Sequence, residues 1–187
     1  MTTPTLTLFG SRLSPFVEKV ARALALKGLA YALAEPRSPR DFARWNPQTG
    51  KMPVLDLGGE RVWDSTRILA RLDRLRPDPP LYDADPAVAA RQRFLEDWSD
   101  EALYWYVMGL RWNDANAAAS AAQVAATLPV PALVRAAVQP LLRRQIGGQA
   151  RAQGLQRLPL AILLEELGRR FDELTVWLGD RPFLFSD

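Results

Sequence analysis

The sequence predicts an α/β unit built on a mixed β-sheet, followed by an all-helical region. Three observations carry this. Within residues 5–76, strand-like and amphipathic helical runs follow one another as β-α-β and then, after an irregular connection, β-β-α. Arg76-Pro77-Asp78-Pro79-Pro80 then interrupts regular structure, because each proline disfavours helix at the residue before it. From Asp85 onward the apolar spacing is helical. The expected division is residues 1–76 for the α/β unit, 77–84 for a linker and 85–187 for the helical region.

Residues 5–9 (TLTLF) alternate as a strand does. A helix follows directly: Ser14 is placed to cap it, Pro15 suits the first helical position, Val17, Val20, Ala21 and Leu24 recur at helical spacing, and Gly28 stops it. Residues 30–34 form a weaker strand candidate. The prolines at 36 and 39 break regularity, and residues 41–45 allow one short helical turn before Asn46-Pro47. Residues 54–57 and 60–63 are two strands joined by Gly58-Gly59, a hairpin signal. Asp64-Ser65 then caps a helix whose apolar stripe is Ile68, Leu69, Leu72 and Leu75.

In the helical region Asp85 caps and Pro86 opens the first helix. Val88, Phe94, Leu95, Trp98 and Ala102 are its expected core stripe, continued by an aromatic cluster from Leu103 to Trp112. Residues 114–127 are alanine-rich and read as a thin helix or a loop. A further helix is expected from Pro129-Pro131 to Gly147-Gly148, kinked at Pro140, with a small polar stretch at 150–156 after it. Residues 158–178 form the strongest amphipathic helix of this half, with Ile162, Leu163, Leu167, Phe171 and Leu174 inward and Glu166 outward.

Composition removes whole classes of chemistry. The 187 residues include neither cysteine nor histidine. Disulfides, thiol nucleophiles, thiolate metal sites, imidazole bases and Ser-His-Asp triads are therefore excluded. Catalysis has to run on hydroxyls, carboxylates, basic side chains and backbone dipoles. Lys and Arg number 24 against 21 acidic residues, interspersed, so nucleic acid is not an expected partner. No apolar run approaches the ~20 residues of a membrane span, and a cytoplasmic location is expected. The strand that feeds the Ser14 helix leaves a helix N-terminus, where free amides and the dipole favour an anion.

Three motifs resemble the N-terminal, thioredoxin-like domain of cytosolic glutathione transferases: Ser-Pro-Phe at 14–16 with Val20 and Ala21, Lys51-Met52-Pro53-Val54-Leu55, and Asp64-Ser65 with Ile68. The likeness is close over about residues 5–76 and looser beyond, and Ser-Pro-Phe is most like the serine-type classes, such as the plant tau class. It implies a thioredoxin-like domain followed by an all-α domain, and glutathione as co-substrate without a metal. Ser14 would hydrogen-bond the glutathione sulfur, with Ser11 the rival hydroxyl and Phe16 completing the motif. Met52 would offer its backbone to the cysteinyl part, with Pro53 the cis-proline. Asp64 and Ser65 would hold the γ-glutamyl end, or serve only as a helix cap. Lys51 or Arg40 would sit near the glycyl carboxylate.

Asp64 stands where glutamate is more usual, keeping the charge with a shorter reach, and Phe9 lies where tyrosine-type classes keep their hydroxyl. Tyr104, Met108, Arg111 and Trp112 would line the electrophile pocket, unless they are core. The implied partners are a small electrophile and a second copy of the chain in a homodimer. The implied activity is glutathione conjugation or peroxide reduction, with a non-catalytic binding or regulatory module as the alternative. In relatives a Phe-Leu stretch like Phe183-Leu184 precedes a Ser/Thr-capped buried helix and several more, so the helical domain is expected to be incomplete.

Overall fold

The computed structural model describes residues 6–185. Thr5, expected to open the first strand, lies outside them, as do Ser186 and Asp187. The chain divides into two compact units, Met1–Ala84 and Asp85–Asp187.

The first unit is a four-stranded sheet of order β2-β1-β3-β4, from β1 (Leu6–Phe9), β2 (Tyr31–Ala34), β3 (Val54–Leu57) and β4 (Arg61–Trp63). β1 runs parallel to β2, pairing Leu6 with Tyr31, and antiparallel to β3, pairing Leu6 with Leu57; β3 and β4 form the expected hairpin. Helices α1 (Pro15–Leu26), α2 (Pro39–Trp45) and α3 (Ser65–Leu75) connect or follow the strands. Alternation along β1 sends Leu6 and Leu8 to one face. There they join Val17, Val20 and Leu24 of α1, Leu55 of β3, and Ile68 and Leu72 of α3 in one core, all essentially without solvent exposure.

Two close fits fix the frame. At the end of β1, Gly10 has φ +148°, and a Cβ built on it would lie 2.4 Å from Val17 Cγ2, so only glycine lets the strand turn against α1. At the other end of α1, Lys27 is 1% exposed. Its Nζ donates to the carbonyls of Arg76 (2.7 Å) and Pro79 (2.8 Å) and pairs with Asp73 at 2.6 Å. Arg76 returns a hydrogen bond to the Lys27 carbonyl (2.8 Å), and Asp73 accepts the Leu81 amide (3.1 Å). These bonds fasten residues 76–81, within and beside the expected linker, to the first unit.

The second unit begins with α4 (Pro86–Trp98), capped as expected by the Asp85 carboxylate on the Ala87 amide at 2.7 Å. A π-helical turn (Ser99–Leu103) carries it into α5 (Tyr104–Trp112). The alanine-rich stretch is a helix, α6 (Ala117–Ala126), which packs along α7 (Ala132–Gln153); a 3₁₀ turn (Leu155–Arg157) precedes α8 (Leu160–Leu178). The core is thin: Met108, Trp112, Ala117, Ala121 and Ala150. α5 and α8 meet where a Cβ on Gly109 would lie 2.9 Å from Leu163 Cδ2.

Several expectations for this unit fail. Phe94 is 78% exposed, not core, and Ile162 and Phe171 on α8 are also exposed, leaving Leu163 as its buried residue. Helical spacing marks an apolar face but not whether another element covers it. α7 does not stop at Gly147-Gly148; it runs through both, with Pro140 inside it, to Gly154 at φ +118°. Ala150, assigned to a small polar stretch, is buried within that helix.

Candidate functional site

Two helix N-termini of the first unit carry the polar residues singled out above. Ser14 is the N-cap residue of α1 in extended conformation (φ −84°, ψ 122°), and its carbonyl accepts the amides of Val17 and Glu18 at 3.1 Å. Its hydroxyl makes no capping hydrogen bond. Ser11 is used differently, since its Oγ accepts the Leu13 amide (3.3 Å) and its carbonyl accepts the Ser14 amide (2.9 Å). The turn thus occupies one serine hydroxyl and leaves the helix-terminal one uncommitted among the described residues. Phe16 lies half-buried in the first turn of α1.

The Met52–Pro53 peptide is cis and Pro53 is buried. Gly10 approaches this corner as well as α1: its built Cβ would lie 3.4 Å from Met52 Cβ. The loop ahead of the corner is organised by Asn46, which sequence reading treated only as a helix stop. Asn46 is buried, and its Nδ2 donates to Thr49 Oγ1 (2.7 Å) and to the Lys51 carbonyl (2.9 Å) while its Oδ1 accepts the Thr49 amide (3.2 Å). An Asn-Pro pair followed by threonine two positions later was the available signal.

At the third corner Asp64 has φ +76°, a positive value shared among the described residues only with glycines. Strain of this kind, held in place by surrounding structure, collects at ligand sites. Its Oδ1 accepts the Arg67 amide at 3.1 Å, so the capping reading is met, and the side chain is still exposed. Ser65 is buried, and its Oγ accepts from Lys19 Nζ at 3.4 Å; the same ammonium donates to Thr66 Oγ1 at 3.3 Å. Lys19, on the second turn of α1, ties the Ser14 helix to the start of α3. Sequence reading passed over it because a lone lysine between apolar positions reads as a solvated face.

Arg40, near the start of α2, and Lys51 are exposed, and neither side chain pairs with a carboxylate among the described residues. Nearby, Asp41 accepts the amides of Arg37 and Ser38, both at 2.9 Å. Those amides, with weaker help from Arg44, hold its carboxyl below the usual range, so it stays charged and the fold of this loop spends it. Phe9 stacks on Trp45 (centroids 4.9 Å apart) with the Arg61 guanidinium 5.4 Å from its ring centroid. Among the described residues no acidic cluster is arranged as a metal site.

The four pocket candidates stand on α5 of the second unit. Met108 and Trp112 are buried in its core. Tyr104 packs edge-on against Trp105, and burial pushes its phenol up, so the hydroxyl remains protonated. Arg111 Nη2 donates to Gln123 Oε1 at 2.9 Å.

Residues 8–80 match the family described as glutathione S-transferase, N-terminal domain. Glutathione transferase GST 23 of Zea mays is 35% identical over 105 residues, a match covering 52% of this chain and 47% of that protein. The chain spans about half the length of the curated relatives it matches. Beta-etherase LigF from Sphingobium sp. strain SYK-6 aligns with a TM-score of 0.65 at 25% identity, over 97% of this chain and 76% of that one. Rice GST1 in complex with glutathione gives 0.62 at 25% identity, over 98% and 67%. The strands in the order β2-β1-β3-β4 and the cis Met52–Pro53 corner thus lie in the stretch that is similar to the N-terminal domain of glutathione S-transferases.

Proposed function

We propose that the first unit binds glutathione and that the protein conjugates the glutathione thiolate to electrophilic small molecules or uses it to reduce peroxides. The observation that carries this reading is the Ser14 hydroxyl, which stands at a helix N-terminus without serving as its cap. Charge supports it too. Glutathione brings two carboxylates, one ammonium and a thiol. The α3 N-terminus and Ser65 suit the γ-glutamyl carboxylate, the exposed Asp64 suits its ammonium, and Arg40 or Lys51 suits the glycyl carboxylate. Met52 offers backbone groups to the cysteinyl portion.

The energetics close without an imidazole. A thiol titrates near ~8.5, so lowering it by roughly two units for neutral pH takes about 2.7 kcal/mol. One hydrogen bond to a charged group contributes about 1.5–3 kcal/mol, and a helix N-terminus about 0.3–1, up to ~2 in partly buried geometry. Ser14 keeps its own proton and donates to the sulfur, and the thiolate attacks the electrophile. Thiol–disulfide exchange through a protein thiolate is outside the reach of a chain without cysteine.

Ser14→Ala should lower conjugation about tenfold or more, the loss for one charge-assisted hydrogen bond, with glutathione affinity nearly unchanged. An ultraviolet difference spectrum showing the same bound-thiolate fraction in the variant would move the role to Ser11. Failure of the wild-type chain to stay on immobilised glutathione would sink the whole reading. Retention without turnover of any electrophile or peroxide would favour a binding module.

A further inference from the structure

Three arginines, none of them invoked above, line one basin in the second unit. At 100° per residue, Arg143, Arg144 and Arg151 of α7 share an arc of about 140° with Gly147 and Gly148. With Trp112 and Gln156 they line a cavity of about 410 Å³. The acidic residue in this lining, Asp114, faces Arg151 at a loose 3.9 Å with both side chains largely exposed. Arg143 and Arg144 have no carboxylate partner among the described residues.

The glycines need an explanation. Glycine is the poorest helix former after proline, and two adjacent ones sit inside a continuous helix. Neither has a positive φ. Packing does not demand them: a Cβ on Gly148 would meet nothing within 4 Å, and one on Gly147 would meet only the Trp112 carbonyl oxygen, at 4.0 Å. What the absent methyls do is keep the floor of the basin open between the arginines. Gln156 donates its amide to the Trp112 carbonyl, which fixes the 3₁₀ turn at the basin's edge to the end of α5, and its Oε1 is buried with no donor among the described residues.

We propose that this basin binds the phosphate group of a small phosphorylated molecule. Two uncompensated guanidiniums match a phosphate dianion in charge and in forked geometry. The cavity has the size of a small-molecule site, larger than inorganic phosphate alone requires. The basin is independent of the glutathione reading, so either can fail alone.

The test uses the full chain, with glycerol 3-phosphate and inorganic phosphate as probes and sodium chloride at matched ionic strength as control. Both phosphates should raise the unfolding temperature and give a calorimetric binding isotherm, glycerol 3-phosphate the tighter of the two. Arg143→Gln combined with Arg144→Gln should weaken binding at least tenfold. Gly148→Ala should raise the ligand-free unfolding temperature, as expected for an exposed helix glycine, and yet weaken phosphate binding, a combination that loss of fold cannot produce. An equal response to chloride, or phosphate binding unchanged in both variants, overturns the proposal.

Discussion

The first unit closes its core and the second does not. In the first, large aliphatic side chains from a sheet and two helices lose essentially all exposure. In the second, alanines fill much of the core, while Phe94, Leu133, Phe171 and Val176 face outward, more than half exposed each. A sheet face presents its apolar residues on one broad surface, which two helices cover. Isolated helices each need several neighbours to hide a stripe. The contrast teaches that stability is concentrated where the proposed glutathione residues stand, and that apolar surface is left on the helices.

Lys27→Met should break this contrast hardest. It removes the buried ammonium that holds Asp73 and the carbonyls of Arg76 and Pro79, at a cost of about 3 kcal/mol, the low end for a broken buried pair because Asp73 keeps some solvent. Hydrogen exchange read by mass spectrometry should show protection lost across β1, α1 and α3 while α6 and α7 are unchanged. An equal loss in both units would contradict the division. Next in size is Gly109→Ala, which forces a methyl toward Leu163 and should cost about 1–3 kcal/mol by overpacking. Its loss of protection should be confined to α5 and α8.

Phe94→Ser with Val176→Ser should change unfolding free energy by no more than about 0.5 kcal/mol each, as for exposed positions, while raising the concentration at which the protein stays in solution. A large destabilisation would mean those faces are covered after all. The smallest effect belongs to Glu60→Gln. Glu60 meets Arg71 at 2.8 and 3.2 Å, and that hydrogen bond depresses its carboxyl below the usual 4.5. A depressed carboxyl contributes stability that is present above the unfolded value and lost as pH falls through the folded one. The variant should therefore differ from wild type at neutral pH, and in acid titrations the gap should shrink as pH falls below the usual carboxylate value and vanish once it passes the depressed one.

Local signals made the first unit legible. Strand alternation at β1, the Gly58-Gly59 hairpin, Pro15 after Ser14 and the Asp64 cap each state one element in a few adjacent residues. The mixed order β2-β1-β3-β4 depends on pairings far apart in sequence, which no short motif encodes. Lys27 was invisible for a related reason: a lysine at a helix end reads as solvated until Arg76, Pro79 and Asp73 arrive as acceptors. The positive φ of Asp64 and the commitment of Ser11, but not Ser14, to its turn are likewise three-dimensional facts. In the second unit periodicity identified α8 correctly and misjudged its burial, since an apolar stripe is a property of one helix and its cover belongs to others.

The π turn at Ser99–Leu103 has a consequence for how α4 and α5 are read together. Phe94 and Trp112 are eighteen residues apart, five whole turns of an unbroken α-helix, and would point the same way. One surplus residue in the π turn sets everything after it back by about 100°, so Phe94, 78% exposed, and Trp112, 3% exposed, stand on different faces. A single deletion between Ser99 and Leu103 would turn α5 by about 100° against α4 without altering one side chain on it.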